Sequence, residues 1–267
     1  MTSYLSPTTK VRVSDLKAKK RSGEKWAMLT AYDYSTARVF AAAGIECLLV
    51  GDSAANVVFG YETTNQVSLD EMAYLAAAVV RGAGNALVVV DLPFGTYEAS
   101  DEQCVKSATE LVRRSGAHMV KLEGGARMAG RIRALKNAGL AVCAHVGFTP
   151  QSVDNLGGFK VQRASVQEDT DAVVDAGADM VVFEMVPAAL AAQITQACPI
   201  PTIGIGAGAG TDAQVLVWQD LADLPAGGRR PRFVRQFGAV GEELARAAAA
   251  YKQAVAEATF PTDEHTF

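Results

Sequence analysis

Few of the residues that form disulfides or zinc sites occur in this sequence. Its 267 residues include four cysteines and three histidines, and no two cysteines are spaced as CxxC. Structural zinc sites need clustered Cys and His ligands, so a zinc protein is not expected. Cys47 and Cys143 lie inside apolar runs, where cysteine usually packs as a small buried hydrophobe. Unpaired cysteines are typical of a reducing compartment, and we expect a cytoplasmic protein.

A large charge imbalance and long apolar stretches are also missing. The net charge is −4, and the basic residues are scattered apart from two short runs, at 17–21 and 229–232. Because nucleic-acid-binding proteins carry a clear basic patch, we expect no nucleic-acid partner. No apolar stretch approaches the roughly 18 residues of a membrane-spanning helix, and no secretion signal is recognisable. Neither membrane insertion nor export is therefore expected.

The sequence does contain a regular alternation of strand and helix patterns. Apolar runs predict eight strands, at Trp26–Ala31, Ile45–Val50, Ala86–Val90, His118–Leu122, Leu140–Ala144, Met180–Phe183, Pro201–Ile205 and Val215–Trp218. Helical periodicity covers Tyr34–Ala43, Leu69–Gly82, Asp101–Ser115, Ala126–Asn137, Ser165–Ala176, Ala188–Ala197 and Val234–Ala258. This alternation implies a parallel sheet with right-handed crossovers. Eight units, in a chain near the roughly 250 residues usual for that fold, predict one α/β domain over residues 1–267, a (β/α)8 TIM barrel.

Local signals support the predicted helix boundaries. Ser68 and Ser100 each precede an acidic first turn, as an N-cap residue does. Alanine–glycine pairs end three helices, with the glycines at 44, 139 and 177. The segment from Pro7 to Gly23, with Ser14 capping a short basic helix, precedes the first strand. We expect this capping segment to plug the lower end of the barrel.

Five of the predicted strands run into a residue that can bind a metal or move a proton. These residues are Asp52, Asp91, Glu123, His145 and Glu184. Active sites of parallel barrels lie at the carboxyl ends of the strands, so the five side chains should converge. Like charges gathered there are unfavourable unless a cation neutralises them or one carboxyl is held protonated. The pattern therefore indicates an enzyme and favours a metal enzyme.

The acidic residues suggest magnesium. Asp52 and Asp91 are each open to interpretation as turn formers or helix caps, but their matching positions favour an oxygen-only Mg²⁺ site. Lys121 and Glu123 are two residues apart and share a face of their strand. Lys121 could reach an anionic substrate while Glu123 supports the metal, directly or through water; the alternative is a structural Lys–Glu pair.

The remaining candidates concern proton transfer and ligand binding. Glu184 lies among apolar residues, which raise the pKa of a carboxyl toward the range of a general base, and it is the preferred base. His145 lies in a loop shaped by Gly and Pro and is equally consistent with a satisfied hydrogen-bonding group. The glycine-rich run at 202–210 matches neither a Walker loop nor a dinucleotide fingerprint. Phosphate binding and close backbone packing against a bulky ligand remain equal alternatives for it.

Longer segments resemble one enzyme family. They span nearly the whole chain in order: Val50–Ser53, Phe59–Thr64, Val67–Met72, Asp91–Phe94, Val120–Gly125, Gly147–Val153, Leu156–Gly158 and Gly204–Gly208. Together they resemble the 3-methyl-2-oxobutanoate hydroxymethyltransferase family, also called ketopantoate hydroxymethyltransferase. The resemblance implies a Mg²⁺-dependent barrel enzyme of pantothenate biosynthesis. Its small-molecule substrates would be 5,10-methylenetetrahydrofolate and 3-methyl-2-oxobutanoate, and its product 2-dehydropantoate.

The resemblance also implies roles for individual residues. Asp52 and Asp91 resemble the metal ligands, and Glu123 resembles the outer metal-binding carboxylate. Ser53 and Lys121 resemble the contacts to the substrate carboxylate, and Glu184 the proton acceptor. The expected substrate-binding set is Asp52, Ser53, Asp91, Lys121 and His145. Members of the family typically form a decamer-type ring stack, so a homo-oligomer is expected.

Two other interpretations are open. A related Mg²⁺-dependent 2-oxo acid lyase or phosphoenolpyruvate mutase type of barrel would share the metal and oxo-acid chemistry, but it often carries a cysteine-bearing loop that is not recognisable here. A non-enzymatic binder or scaffold would require the loss of a catalytic group. Every residue that the resemblance assigns to catalysis is present in this chain.

Overall fold

The computed structural model describes residues 10–155, 157–158, 161, 164–224 and 231–267. Residues 7–9 of the predicted capping segment, Leu156 of the resembling segments and the basic residues 229–230 lie outside these ranges. Within them, eight parallel strands pair in chain order, and the first pairs with the last to close a barrel. The predicted (β/α)8 barrel is therefore confirmed.

The strands and helices are numbered in chain order. The strands are β1 Trp26–Thr30, β2 Cys47–Val50, β3 Leu87–Asp91, β4 Met119–Glu123, β5 Val142–Gly147, β6 Met180–Glu184, β7 Thr202–Ile205 and β8 Ala213–Leu216. The helices are α1 Val13–Ser22, α2 Tyr34–Ala42, α3 Ala54–Val57, α4 Leu69–Gly82, α5 Asp101–Ser115, α6 Ala129–Asn137, α7 Val166–Asp175, α8 Ala188–Ala197, α9 Trp218–Leu221 and α10 Val240–Ala256. Short 3₁₀ turns occupy Thr64–Gln66, Ala126–Met128, Pro150–Ser152 and Asp263–His265.

Several predicted boundaries were wrong. β5 was predicted to end at Ala144 but continues to Gly147, so His145 lies inside a strand and not in a loop. Trp218 begins a helix and does not end β8, which lies two residues earlier than predicted. The last long helix starts at Val240, six residues later than predicted, and Gly238 just before it is a poor helix former. Ser14 does not cap α1. The N-cap is Arg12, whose N–H donates to the Asp15 carboxylate at 2.8 Å.

The serine caps and the glycine helix ends were predicted correctly. Ser68 Oγ accepts the N–H of Glu71 at 3.2 Å, and the Glu71 carboxylate accepts the N–H of Ser68 at 2.7 Å. Ser100 Oγ accepts the N–H of Gln103 at 3.0 Å. The three glycines that follow α2, α6 and α7 have φ of 86°, 85° and 95°, in the left-handed region that favours glycine.

The buried apolar side chains form two layers, one outside and one inside the ring of strands. The larger lies between the strands and the outer helices, and the smaller fills the barrel with inward side chains such as Met28, Val89 and Met180. Leu16 of α1 is fully buried and belongs to the inner layer, together with Trp26 at the start of β1. Helix α1 therefore closes the end of the barrel where the strands begin, as predicted.

The chain groups into two compact units. The first ends at Val217 and contains the barrel, and the second is Trp218–Phe267. Inside the second unit, the N–H of Phe237 donates to the carbonyl of Leu221 at 2.8 Å, and α10 has no buried residue. The single-domain interpretation of residues 1–267 stays a prediction. In the described part of the chain, no helix combines the length and the apolar character needed to cross a membrane.

Candidate active site

The candidate residues meet at the carboxyl ends of β2 to β6. Strand register places Asp91 beside Lys121 and Glu123 beside His145. Asp52, Asp91, Lys121, Glu123 and His145 are all at most 4% exposed. The structure thus brings together the carboxylates and the histidine that the strand-end pattern pointed to, with one lysine among them.

Lys121 supplies a cation inside this cluster. Its Nζ lies 2.7 Å from Oδ1 of Asp91, and both side chains are buried. Burial lowers the pKa of a lysine, but the negative charges of Asp91, Glu123 and Asp52 outweigh it and raise the pKa of Lys121 above its ordinary value. The ammonium is therefore charged and paired with Asp91. Its predicted contact with a substrate carboxylate stays a prediction.

Asp52 is the carboxyl with the least favourable surroundings. Burial raises its pKa well above the ordinary value, and the neighbouring Asp91 and Glu123 charges raise it further. Its backbone N–H donates to Oδ2 of Asp91 at 3.0 Å, and its own Oδ2 accepts a hydrogen bond from Nε2 of Gln151 at 2.9 Å. A positive charge placed next to Asp52 would relieve this repulsion.

Glu123 lies between Gln151 and His145. Its Oε2 accepts the N–H of Gln151 at 2.9 Å, and its Oε1 lies 3.4 Å from Nδ1 of His145. Burial raises the pKa of this carboxyl, but His145, Lys121 and the Gln151 N–H together lower it below the ordinary value. Glu123 is therefore a carboxylate whose two oxygens already have partners within the protein.

His145 bridges two carboxylates. Its Nε2 lies 3.3 Å from Oε2 of Glu184, on the side opposite Glu123. Neither ring nitrogen makes a well-aligned hydrogen bond among the described residues, so the attraction is mainly between charges. Burial and Lys121 lower the pKa of His145, but Glu123 and Glu184 outweigh them and raise it to about 9. The imidazole is therefore protonated at neutral pH.

Glu184 is the most accessible member of the cluster. Its side chain is 15% exposed, and it faces His145 as well as the apolar residues expected from the sequence. The next residue, Met185, has φ of 50°, an uncommon value for a non-glycine residue, and its N–H donates to the Ile205 carbonyl at 2.9 Å. The chain thus turns sharply just beyond Glu184.

Ser53 lies at the edge of this cluster. Its Oγ is 2.8 Å from the hydroxyl of Tyr32. A Cβ on Gly51 would lie 2.8 Å from Ser53 Oγ and 3.6 Å from Asp91 Oδ2, so glycine is needed at this position. The missing side chain at Gly51 leaves room for the Ser53 hydroxyl at the end of β2, next to Asp52.

The carboxylates of the cluster suit a divalent cation that also keeps water or substrate ligands, and they do not form a complete cage of protein ligands. In the described ranges, no group of three His, Cys, Asp or Glu side chains is arranged to hold a metal. Four carboxylates face two cations here, so two negative charges remain when all six groups are ionised. The carboxylates are Asp52, Asp91, Glu123 and Glu184, and the cations are Lys121 and His145. Mg²⁺ is commonly held by one or two carboxylates together with waters and substrate oxygens. Asp52 and Asp91 fit that role.

Two residues of the cluster were missed from the sequence. Gln151 is 5% exposed and Tyr97 is 2% exposed, and the Tyr97 hydroxyl donates to Oε1 of Gln151. Gln151 belongs to one of the resembling segments but received no role, because it is uncharged. No sequence signal marks Tyr97.

The glycine-rich run after β7 packs closely against α8. A Cβ on Gly208 would lie 2.4 Å from the Cβ of Ala188, and one on Gly210 would lie 2.6 Å from the Cβ of Ala192. These glycines thus allow close approach to a helix, and the two ligand-binding alternatives suggested by the sequence stay predictions.

A cavity of about 260 Å³ adjoins the ends of β4 and β5. Its described lining includes Gly124, Arg127, Gly147, Thr149 and Asp169. Gly147 pairs in register with Glu184, so the cavity lies next to the strand that carries the candidate base. Arg127 is exposed, and its guanidinium donates to Ser152 Oγ at 3.0 Å.

Comparison with known proteins gives a consistent result. A sequence profile described as ketopantoate hydroxymethyltransferase matches residues 10–263. The chain is 66% identical over 271 residues to the 3-methyl-2-oxobutanoate hydroxymethyltransferase of Corynebacterium jeikeium, covering 100% of this chain and 96% of the relative. It is 64% identical over 262 residues to the enzyme of that name from Corynebacterium diphtheriae, covering 97% and 100%.

Solved structures share the fold at much lower identity. Phosphoenolpyruvate phosphomutase from Streptomyces platensis subsp. rosaceus superposes with a TM-score of 0.60 and 16% identity, covering 96% of this chain and 92% of that one. At this identity the likeness concerns the barrel architecture alone. The mutase-type interpretation therefore gains no functional support from it.

Proposed function

Because the chain belongs to the ketopantoate hydroxymethyltransferase family, we propose that it transfers a hydroxymethyl group from 5,10-methylenetetrahydrofolate to 3-methyl-2-oxobutanoate in a Mg²⁺-dependent reaction. The product would be 2-dehydropantoate. The observation that carries this proposal is the buried cluster at the ends of β2 to β6. There the carboxylates exceed the cations by two charges, and a proton acceptor lies at the accessible edge.

In this proposal Asp52 and Asp91 hold the metal. When bound, Mg²⁺ supplies a Lewis acid that polarises the keto oxygen of the 2-oxo acid and makes the C3 proton easier to remove. Lys121 limits the repulsion between the two aspartates by pairing with Asp91 at 2.7 Å. The Ser53 hydroxyl and the remaining donors of Lys121 bind the substrate carboxylate. Glu123 supports the site from the far side, through Gln151 and His145.

Glu184 is proposed to accept the proton from C3. Among the four carboxylates it is the most exposed, so it can meet a substrate in the barrel mouth. His145, protonated at neutral pH, lies 3.3 Å away and orients the Glu184 side chain before the reaction. Carbon C3 then forms the new carbon–carbon bond to the one-carbon unit, and both bonds from that unit to the folate nitrogens break. A water molecule provides the hydroxyl group, and its second hydrogen and the proton taken from C3 end on the two nitrogens of the departing tetrahydrofolate.

The folate is proposed to use the cavity beside β4 and β5. Its lining next to Gly147 would bring a ligand close to Glu184, since these two residues pair in register. The guanidinium of Arg127 at this cavity can pair with a carboxylate of the glutamate tail.

We also propose a cytoplasmic homo-oligomer. Leu244, Tyr251 and Val255 lie on one face of α10 by helical spacing and are 55%, 61% and 49% exposed in the single chain. A contiguous exposed apolar face usually marks a protein contact. A light-scattering mass near 28.0 kDa, that of one chain, would contradict this proposal.

Deuterium exchange at C3 of 3-methyl-2-oxobutanoate tests the proposed activity most directly. Exchange needs the metal and the base but no one-carbon donor, so it isolates the first chemical step. We expect exchange with Mg²⁺ and little without it. Addition of 5,10-methylenetetrahydrofolate should then convert the oxo acid to 2-dehydropantoate. A chain that exchanges no C3 hydrogen in the presence of Mg²⁺ would refute the proposal.

A further inference from the structure

Gln151 connects three of the strands that form the candidate active site. It lies in the 3₁₀ turn beyond β5 and is 5% exposed. Its backbone N–H donates to Oε2 of Glu123 at 2.9 Å, and its side-chain Nε2 donates to Oδ2 of Asp52 at 2.9 Å. The same Nε2 donates to the carbonyl of Leu92 at 3.0 Å, just beyond β3. One residue thus contacts two of the acidic groups and the end of a third strand.

The amide of Gln151 can have only one orientation. The carbonyl of Leu92 accepts hydrogen bonds but cannot donate, so the amide nitrogen must face it. Oε1 therefore faces Tyr97, whose hydroxyl donates to it. The oxygen of Tyr97 in turn accepts the N–H of Glu123 at 3.3 Å, which leaves the hydroxyl proton directed at Gln151. Asp52 consequently always receives a donor from this amide.

The Tyr97 end of this series of hydrogen bonds is also held in place. Arg131 of α6 donates to the carbonyl of Tyr97 at 3.1 Å and to the carbonyl of Glu98 at 2.8 Å. The loop that carries Tyr97 is thereby attached to the outer helix layer. Because the Tyr97 hydroxyl is fixed, the Gln151 amide that donates to Asp52 is fixed as well.

We propose that Gln151 is a positioning residue that holds the Asp52 and Glu123 carboxylates in one orientation and so prepares the site for Mg²⁺. The inference rests on the proposed function, because it takes Asp52 as a metal ligand. Asp91 is held separately, by Lys121 and by the N–H of Asp52. Without the Gln151 amide, Asp52 would be free to rotate away from the neighbouring carboxylates. Mg²⁺ would then have to reorient its ligand on binding.

Two substitutions separate positioning from simple packing. Gln151→Met keeps the length of the side chain and removes all three hydrogen bonds of its amide, and Tyr97→Phe removes the hydroxyl that orients the amide. Mg²⁺ affinity would be measured by calorimetry on the full chain without substrates. We expect Gln151→Met to weaken Mg²⁺ binding roughly tenfold or more and Tyr97→Phe to weaken it less. The double variant should bind little more weakly than Gln151→Met, because both changes reach Asp52 through one amide.

Gln219→Met provides the matched control. Gln219 is also a buried glutamine, 5% exposed, but it lies in α9, outside the barrel strands. Its substitution should leave Mg²⁺ affinity at the parent value. Thermal unfolding of all variants would show that each is folded during the titration.

Several outcomes would overturn the inference. One is a folded Gln151→Met chain that binds Mg²⁺ as the parent does, and another is an additive loss in the double variant. If Gln151→Met does not fold, a parent-like affinity in Tyr97→Phe overturns it instead. In these cases a parent chain that still exchanges C3 hydrogen leaves the proposed function standing. A parent that neither binds Mg²⁺ nor exchanges C3 hydrogen would refute both.

Discussion

Nε2 of His145 lies 3.3 Å from Oε2 of Glu184, while Nδ1 of the same ring lies 3.4 Å from Oε1 of Glu123. One imidazolium therefore links the candidate base to the carboxylate proposed to support the metal site. A protonated His145 cannot take up the C3 proton, which supports the proposal that Glu184 is the acceptor at neutral pH. The side chains of Glu184 and Glu123 are 15% and 2% exposed, a difference that fits the separate tasks proposed for them.

Replacement of the base should separate binding from proton transfer. Glu184→Gln keeps the size of the side chain but cannot accept a proton. We expect C3 exchange to fall by about 10²-fold or more, the usual scale for a lost general base. Mg²⁺ affinity measured by calorimetry should not change. Exchange at the parent rate in this variant would show that Glu184 is not the base. His145 would be tested next, and that role would require its imidazole to be neutral in the active enzyme.

The two aspartates at the metal site should respond differently to neutralisation. Asp52→Asn and Asp91→Asn should both weaken Mg²⁺ binding and abolish activity. Because the pKa of Asp52 is raised in the folded chain, its charge destabilises the metal-free protein at neutral pH. Asp52→Asn should therefore unfold at the parent Tm or above it. Asp91→Asn leaves Lys121 buried without its partner and should lose about 3–5 kcal/mol of stability.

Calorimetry and thermal melts without metal would check this contrast. Unchanged Mg²⁺ binding in both variants would rule out the two aspartates as ligands. A lower Tm for Asp52→Asn than for Asp91→Asn would contradict the assignment of the ion pair to Asp91.

The fold was predictable because its signals are local. Each strand is a short apolar run, and the reactive residue follows it directly, so barrel geometry alone brings Asp52, Asp91 and Glu123 together. The internal cation was harder to predict. Lys121 shares a strand face with Glu123, as expected, but its ion-pair partner is Asp91, on the neighbouring strand in register. Pairing across strands depends on register, which apolar runs do not specify.

Gln151 and Tyr97 could not be found from local patterns. Gln151 lies 99 residues from Asp52 and 54 residues from Tyr97 along the chain. Both side chains are neutral, so no charge pattern marks them, and their importance comes from hydrogen bonds that exist only in the folded barrel. The start of α10 was missed for a local reason, because alanine-rich periodicity hid the weak helix propensity around Gly238.

The ion pairs of His145 should make stability depend on pH above neutrality. Its pKa is about 9 in the folded chain and near 6.5 when exposed, so the folded state holds the proton more tightly. The stability gained is fully present below pH 6.5 and is lost as the pH rises through 9. The difference in unfolding free energy between the parent and His145→Gln should therefore shrink by about 3 kcal/mol at most between pH 6 and pH 10.

His118→Gln is the matched control for this titration. His118 precedes β4, its Nδ1 accepts the N–H of Val88 at 2.9 Å, and burial lowers its pKa. Its neutral form is the favoured one, so its contribution is present at high pH and is lost on acidification. Urea unfolding of the three proteins across this range should show a shrinking difference for His145→Gln only. A difference for His145→Gln that is constant with pH would show that the pKa of His145 is not raised in the folded chain.

Arg127 should affect the folate and not the oxo acid. Its guanidinium lines the cavity beside β4 and β5, outside the buried carboxylate cluster, and can pair with a glutamate-tail carboxylate. Loss of one such contact on Arg127→Ala should raise the KM for 5,10-methylenetetrahydrofolate roughly tenfold, equivalent to about 1.4 kcal/mol. C3 exchange without folate should stay at the parent rate. Arg133→Ala, which removes an exposed arginine of α6 that does not line this cavity, should change neither quantity. An unchanged folate KM in Arg127→Ala would place the folate elsewhere at the barrel mouth, whereas a loss of exchange would place Arg127 within reach of the oxo acid.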